Sequence, residues 1–160
     1  MTEPVVTQST VREAGAEDVE EVATAVASLL GELGGRMPAR AEMEAEVQAL
    51  LDDPQGGSVL IAEADGKIVG VLTASWQRAI HVPGVYATVQ DLWVDEDWRS
   101  RGVGAELVEA IASQARSRGV SRLEVGLPRE TFAAIASTES FYRRNGFEPL
   151  GPRLRRLLDD

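Results

Sequence analysis

Two runs of strand-forming residues, SVLIAEA and KIVGVLTASW, are separated only by Asp65-Gly66. An Asp-Gly pair accepts the positive φ angles of a two-residue hairpin turn, so these runs are predicted to pair antiparallel. A third run, Tyr86–Val94 (YATVQDLWV), follows a loop that contains His81, Pro83 and Gly84. The period then changes. Leu107, Val108, Ile111, Ala112 and Ala115 recur at steps of three and four, which predicts a helix over Gly104–Arg118, ended by Gly119. A short strand is expected at Arg122–Gly126. Strands joined by hairpins are thus followed by one reached through a helix. That pattern predicts a mixed sheet, antiparallel first and parallel around Tyr86–Gly126.

The flanking segments complete the pattern. Val5–Glu13 (VVTQSTVRE) has the β-branched content of a first strand. Between Ala16 and Leu33 the apolar positions Val19, Val22, Ala23, Val26, Leu29, Leu30 and Leu33 form one helical stripe. Glu17, Asp18, Glu20 and Glu21 crowd its first turns, where they complement the helix dipole, and Gly34-Gly35 stops it. A second helix is expected over Ala39–Leu51, broken by Asp52-Asp53-Pro54. A last helix is expected over Ser137–Arg144, ended by Asn145-Gly146. The tail Phe147–Leu158 reads as a strand. The predicted order is βααβββαβαβ, an α/β (α+β) fold with helices on both faces of the sheet. With no internal repeat or linker, residues 1–160 are expected to form a single domain.

Composition excludes several classes of function. The 160 residues include no cysteine and one histidine, His81, so thiolate zinc sites, disulfide frameworks and multi-histidine metal sites are excluded. No metal is expected. The formal charge is −10, and the imbalance lies in residues 1–70, with 14 acids against four bases (Arg12, Arg36, Arg40, Lys67). Residues 71–160 balance at 12 of each. Such a chain is a poor partner for nucleic acid, whose binding proteins carry basic stripes. There is no apolar run of membrane-spanning length and no secretory signal in MTEPVVTQST, so a cytoplasmic location away from membranes is expected.

The chemistry is concentrated in DLWVDEDWRSRGVGA, Asp91–Ala105. A strand ends near Val94, an acidic turn follows, and Arg99-Ser100-Arg101-Gly102-Val103-Gly104 opens a helix. N–H groups in a helix's first turn have no intrahelical partner and carry the positive end of the dipole. Glycines at 102 and 104 remove the Cβ atoms that would keep an anion away, and two arginines add charge. The arrangement suits a pyrophosphate. It is not a P-loop, since Ala105-Glu106 follows Gly104 where Gly-Lys-Ser/Thr is needed. Nor is it a dinucleotide fingerprint, since Leu107 stands at the third small position. A plain strand-to-helix turn that uses glycine for backbone freedom is the competing reading.

Here the chain resembles the GNAT superfamily of N-acetyltransferases. Arg99, Gly102 and Gly104 match the family's Arg/Gln-x-x-Gly-x-Gly/Ala coenzyme signature, at the start of a helix after a central strand. FYRRNGF, Phe141–Phe147, matches its late aromatic-Tyr pair followed by Gly-Phe. The resemblance covers residues 10–158. It implies acetyl-CoA as co-substrate, with the amides of Arg99, Ser100, Arg101, Gly102, Val103, Gly104 and Ala105 around its pyrophosphate. It also implies that Leu92, Trp93 and Val94 pair with the pantetheine arm, beside a bulge that splays this strand from the next. A backbone N–H near Leu92 would polarise the thioester carbonyl. Tyr142 stands where the family's general acid does.

Two positions depart from the family pattern. Many members carry Glu where this chain has Gln90, which cannot accept a proton at neutral pH. Asp91 is a carboxylate, but strand alternation is expected to turn it to the opposite face from Gln90. Gln90 is therefore expected to orient substrate or water, the base being Asp91, another acid or bulk water. Ile135, seven residues before Tyr142, replaces an Asn that often contacts the coenzyme arm. The acidic N-terminal half favours a small cationic amine as acceptor. Alternatives are a non-catalytic acyl-CoA-binding or regulatory module and an enzyme acting on protein N-termini or lysines. A homodimer is the default expectation for a small soluble enzyme.

Overall fold

A computed structural model describes residues 8–158. They fall into two compact units, one ending at Val125 and one starting at Gly126. The first contains β1 (Thr10–Glu13), a 3₁₀ turn at Ala16–Asp18, α1 (Val19–Leu33), α2 (Arg40–Asp52), β2 (Gly57–Ala64), β3 (Lys67–Ala79), β4 (Gly84–Val94), a 3₁₀ turn at Glu96–Trp98, α3 (Val103–Ser117) and β5 (Leu123–Val125). The second contains α4 (Ile135–Arg144).

The five strands lie in chain order, β1-β2-β3-β4-β5. The first three pairings are antiparallel, and β4–β5 is parallel. The mixed sheet read from the period change is therefore present. The Asp-Gly turn also forms as expected. Asp65 and Gly66 adopt φ of 53° and 73°, the two positive values that match a turn to the twist of the strands.

Helices cover both faces. On one, Val59, Ile61 and Val71 meet Val22, Ala23 and Ala25 of α1 and Met43 and Val47 of α2. On the other, Gly70 lies under Val103 and Leu107 of α3, and a Cβ there would sit 2.8 Å from Val103 Cγ1. Fully buried Leu72, Leu107 and Ile111 fill the α3 side, each such side chain worth about 1.5–3 kcal/mol over its exposed state.

The edges of the expected elements shift in two places. Strand β1 is described from Thr10, while Val5–Thr7 of the expected strand lies outside the described residues. The tail strand expected over Phe147–Leu158 is absent, and those residues form no regular element. Its leucines, 150, 154, 157 and 158, are all exposed. Pro152 also removes a ladder donor, so nothing drives pairing. The observed order therefore lacks the last strand of βααβββαβαβ.

In the second unit α4 ends in a Schellman turn, with Phe147 N–H donating to Tyr142 O at 3.1 Å across Gly146. The Phe147 ring meets Tyr142 edge-on at 5.4 Å, and Phe141 meets it at 5.2 Å.

A charged cluster fastens the entry to α1. Arg12 of β1 donates to both Asp18 oxygens at 2.8 and 3.0 Å and to Glu63 of β2 at 2.6 Å. Asp18, only 5% exposed, also accepts from Gly15 N–H at 2.7 Å. The Arg12 bonds hold its carboxyl below the usual aspartate range. A depressed folded-state pKa adds stability at pH above the unfolded value and loses it as pH falls through the folded one. Asp18→Ala should cost about 1–3 kcal/mol in urea unfolding near neutral pH. The deficit relative to the parent should shrink below about pH 4, where the parent loses the same interaction.

Candidate active site

The central feature is a register slip between β3 and β4. Thr73 pairs with Asp91 and Ala74 with Val89, which leaves Gln90 as an extra residue in β4. Such a bulge bends its strand and raises the local twist. The pairing of β4 with β5 stops at the same point, its last partners being Val89 and Val125. From Gln90 to Val94, β4 keeps β3 on one edge and has no strand on the other among the described residues. The bulge that the resemblance implied is thus present, and Leu92, Trp93 and Val94 lie on the edge that it opens.

The bulge overturns one expectation. Asp91 accepts from Thr73 Oγ1 at 2.5 Å, and Gln90 Nε2 donates to Ser75 Oγ at 3.3 Å. Thr73 and Ser75 are two apart on β3 and share a face, so the Gln90 and Asp91 side chains reach the same side of the sheet. Alternation fails because the extra residue interrupts it. Thr88, whose Oγ1 donates to Gln77 Oε1 at 2.6 Å, extends this polar row toward the start of β4. The row lies on the face that α1 and α2 cover elsewhere.

Asp91 is the carboxylate of consequence. Burial raises its pKa from the ordinary aspartate value, and the Thr73 hydroxyl partly offsets the rise by stabilising the charged form. A carboxylate displaced upward, at a strand irregularity, has the character of a proton acceptor.

The turn that follows supplies amides. Ser100 and Gly102 hold φ of 62° and 86°. The left-handed Gly102 lets the chain enter α3 at once, and a Cβ placed there meets no atom within 4 Å. The helical ladder begins with Glu106 N–H donating to Gly102 O at 3.0 Å. The N–H groups of Val103, Gly104 and Ala105 therefore lie ahead of it, at the positive end of a 15-residue helix. These donors and the open space at Gly102 fit a diphosphate.

The two arginines of the turn differ in what they touch. Arg99 donates through Nε to Val94 O at 3.0 Å and forms an ion pair with Glu32 in the last turn of α1. Its charge is answered there, and it ties strand end, turn and helix end together. Arg101 lies over the Trp98 ring at 5.0 Å and forms no ion pair among the described residues. Arg101 therefore brings uncompensated positive charge to the turn.

Tyr142, buried in α4, belongs to the second unit, as does Ile135, the first residue of that helix. His81 stands in the β3–β4 loop, 6.3 Å from the Tyr86 ring. The residues that sequence reasoning missed are Thr73, Ser75 and Glu32. A signal for the first two was present: Thr73, Ser75 and Gln77 recur with period two in an otherwise apolar strand.

Residues 55–149 match the family model described as the acetyltransferase (GNAT) domain. An N-acetyltransferase of Methanocaldococcus jannaschii, itself uncharacterised, is 33% identical over 90 residues, 55% of this chain and 38% of that protein. A protein of Azospirillum brasilense named IAA acetyltransferase is 33% identical over 95 residues, 58% of this chain and 60% of that one. The matches thus span less than two thirds of these curated relatives. Among solved structures, a predicted acetyltransferase of Clostridium acetobutylicum, determined with acetyl-CoA, superposes with a TM-score of 0.76 at 13% identity. That superposition covers 94% of this chain and 96% of the other, and it shows a shared fold.

Replacing Thr73 with Val removes the hydroxyl that favours the Asp91 carboxylate. The Asp91 pKa, followed by carboxyl carbon NMR, should rise further in this variant. An unchanged or lower value would contradict the hydrogen bond.

Proposed function

Since this chain belongs to the GNAT acetyltransferase family, we propose that it transfers an acetyl group from acetyl-CoA to a primary amine, as a single N-acetyltransferase domain. The acceptor in this reading is a small cationic amine. The observation that carries the proposal is the bulge at Gln90, which opens one edge of β4 directly before a helix that starts with free amides.

When bound, acetyl-CoA supplies the reactive thioester, and the rest falls to the protein. The amides of Val103, Gly104 and Ala105, with Arg101, hold a diphosphate by dipole and charge. Leu92, Trp93 and Val94 offer backbone hydrogen bonds along the open edge, as an added strand would receive them. A backbone N–H near Leu92 steadies the oxygen on which negative charge develops. A primary amine with a pKa near 10 has only about one molecule in a thousand neutral at pH 7, so a proton acceptor is needed. Asp91 fills that role, and Gln90 beside it orients the acceptor or a water. The amine nitrogen bonds to the carbonyl carbon, the carbon–sulfur bond breaks, and the departing sulfur takes a proton from Tyr142. The surplus of acids in residues 1–70 favours a cation approaching the face of α1 and α2.

Calorimetry and CoA release together test this reading. Gly104→Asp puts a negative charge where the helix dipole tolerates it but a diphosphate does not. The variant should stay folded and lose acetyl-CoA binding, and retained binding would refute the cradle. Across a panel of amines, CoA release detected with a thiol reagent should be fastest for cationic acceptors. Coenzyme binding without release across that panel would leave an acyl-CoA-binding module, and a preference for peptides would redirect the acceptor to proteins.

The pH profile separates the two proton roles. Asp91 must be ionised to accept a proton, so kcat/KM should rise with pH through a value above the ordinary aspartate range of about 3.9. Asp91→Asn should remove that limb. Tyr142→Phe should lower kcat by about 10²–10⁴ without moving it. An unaltered limb in the first variant, or an unaltered kcat in the second, would remove the role assigned to that residue.

A further inference from the structure

A cavity of about 610 Å³ lies at the other end of α3 from the amide turn, still within the first unit. Gly70 of β3 packs under the first turn of α3, whereas Trp76 lies under Arg118, just past its last turn. Fifteen helical residues separate these ends, about 22 Å at 1.5 Å per residue. The cavity is therefore remote from the amide turn, and Trp76, next to Ser75 on β3, faces α3, away from the polar row that holds Gln90 and Asp91.

Its lining has a one-sided chemistry. Gln55, Trp76, Gln77, Arg78 and Arg118 belong to its polar lining, two valines complete it, and no carboxylate borders it among the described residues. The Trp76 residue is 9% exposed, and its Nε1–H is buried with no hydrogen-bond partner among the described residues. A buried donor left unmade is costly, and native structures rarely keep one without a reason. The Arg118 guanidinium lies over the Trp76 ring at 4.3 Å. Neither Arg78 nor Arg118 forms an ion pair among the described residues, although the chain carries 26 acids against 16 bases.

We propose that this cavity is a second ligand site, which takes a small organic anion through its carboxylate or phosphate group. The oxyanion accepts from the Trp76 indole N–H and the forked guanidinium donors of Arg78 and Arg118, while the valines meet the carbon body. Guanidinium forks match both kinds of oxyanion, and the orphaned indole donor gains the acceptor that it lacks.

The test follows the Trp76 indole N–H in ¹⁵N–¹H spectra, with Trp76→Phe identifying its signal among the three tryptophans. Succinate and glycerol phosphate are titrated separately at an ionic strength of about 0.15 M, where loose surface attraction is screened. A saturable shift with either ligand supports the site, and the better ligand identifies the oxyanion. Arg78→Ala with Arg118→Ala should weaken binding at least about tenfold, as loss of charged hydrogen bonds does. Each single variant should weaken it less. Circular dichroism and the thermal midpoint check that the variants are folded. No saturable shift with either ligand would overturn the proposal, as would a shift of equal affinity in the folded double variant. Since acetyl-CoA takes no part, this outcome is independent of the acetyl-transfer reading.

Discussion

The one extra residue in β4, Gln90, is the constraint on which the site depends. A regular antiparallel pair would carry β3 and β4 in register to their ends and turn Gln90 and Asp91 to opposite faces. The slip between Thr73 and Ala74 instead places both side chains beside hydroxyls on one face. It falls where β4 parts from β5, so one local irregularity both gathers the polar groups and frees a strand edge. Bulges commonly occur at such places because they redirect side chains and end pairing at once.

The charges around the site divide into structural and available ones. Arg99 matches the coenzyme signature, yet its guanidinium is held by Glu32 and Val94 O, where it answers an acid at the unfavourable end of α1. That leaves the first-turn amides and Arg101 to face an anion. Asp91 shows the complementary economy. Its burial displaces its pKa upward while the Thr73 hydroxyl restrains the shift, and a carboxylate so balanced is suited to exchanging a proton. At the far end of α3 the pattern inverts: among the described residues, two arginines without an ion pair and an indole donor without an acceptor border a cavity that no carboxylate lines.

Features encoded by neighbouring residues are legible in the sequence. The Asp65-Gly66 turn, the stripes of α1 and α3, and the glycine-opened helix after β4 each rest on a period or a backbone preference that acts over a few positions. The tail misled because its leucines suggested a strand, while Pro149, Pro152 and Gly151 interrupt it and those leucines stay exposed. Thr73 and Ser75 were overlooked because single polar residues in a core strand gain meaning only from what stands opposite.

The sequence by itself determined the element order through β5, the mixed sheet and the anion-ready turn at Arg99–Ala105, because these depend on local geometry and hydrophobic period. The tertiary structure alone decided that Gln90 is the bulged residue, that Asp91 shares its face, that Arg99 is tied to α1, and that Trp76 keeps a donor unmet among the described residues beside Arg118. Each of these is a relation between residues far apart in the chain, set by register and packing.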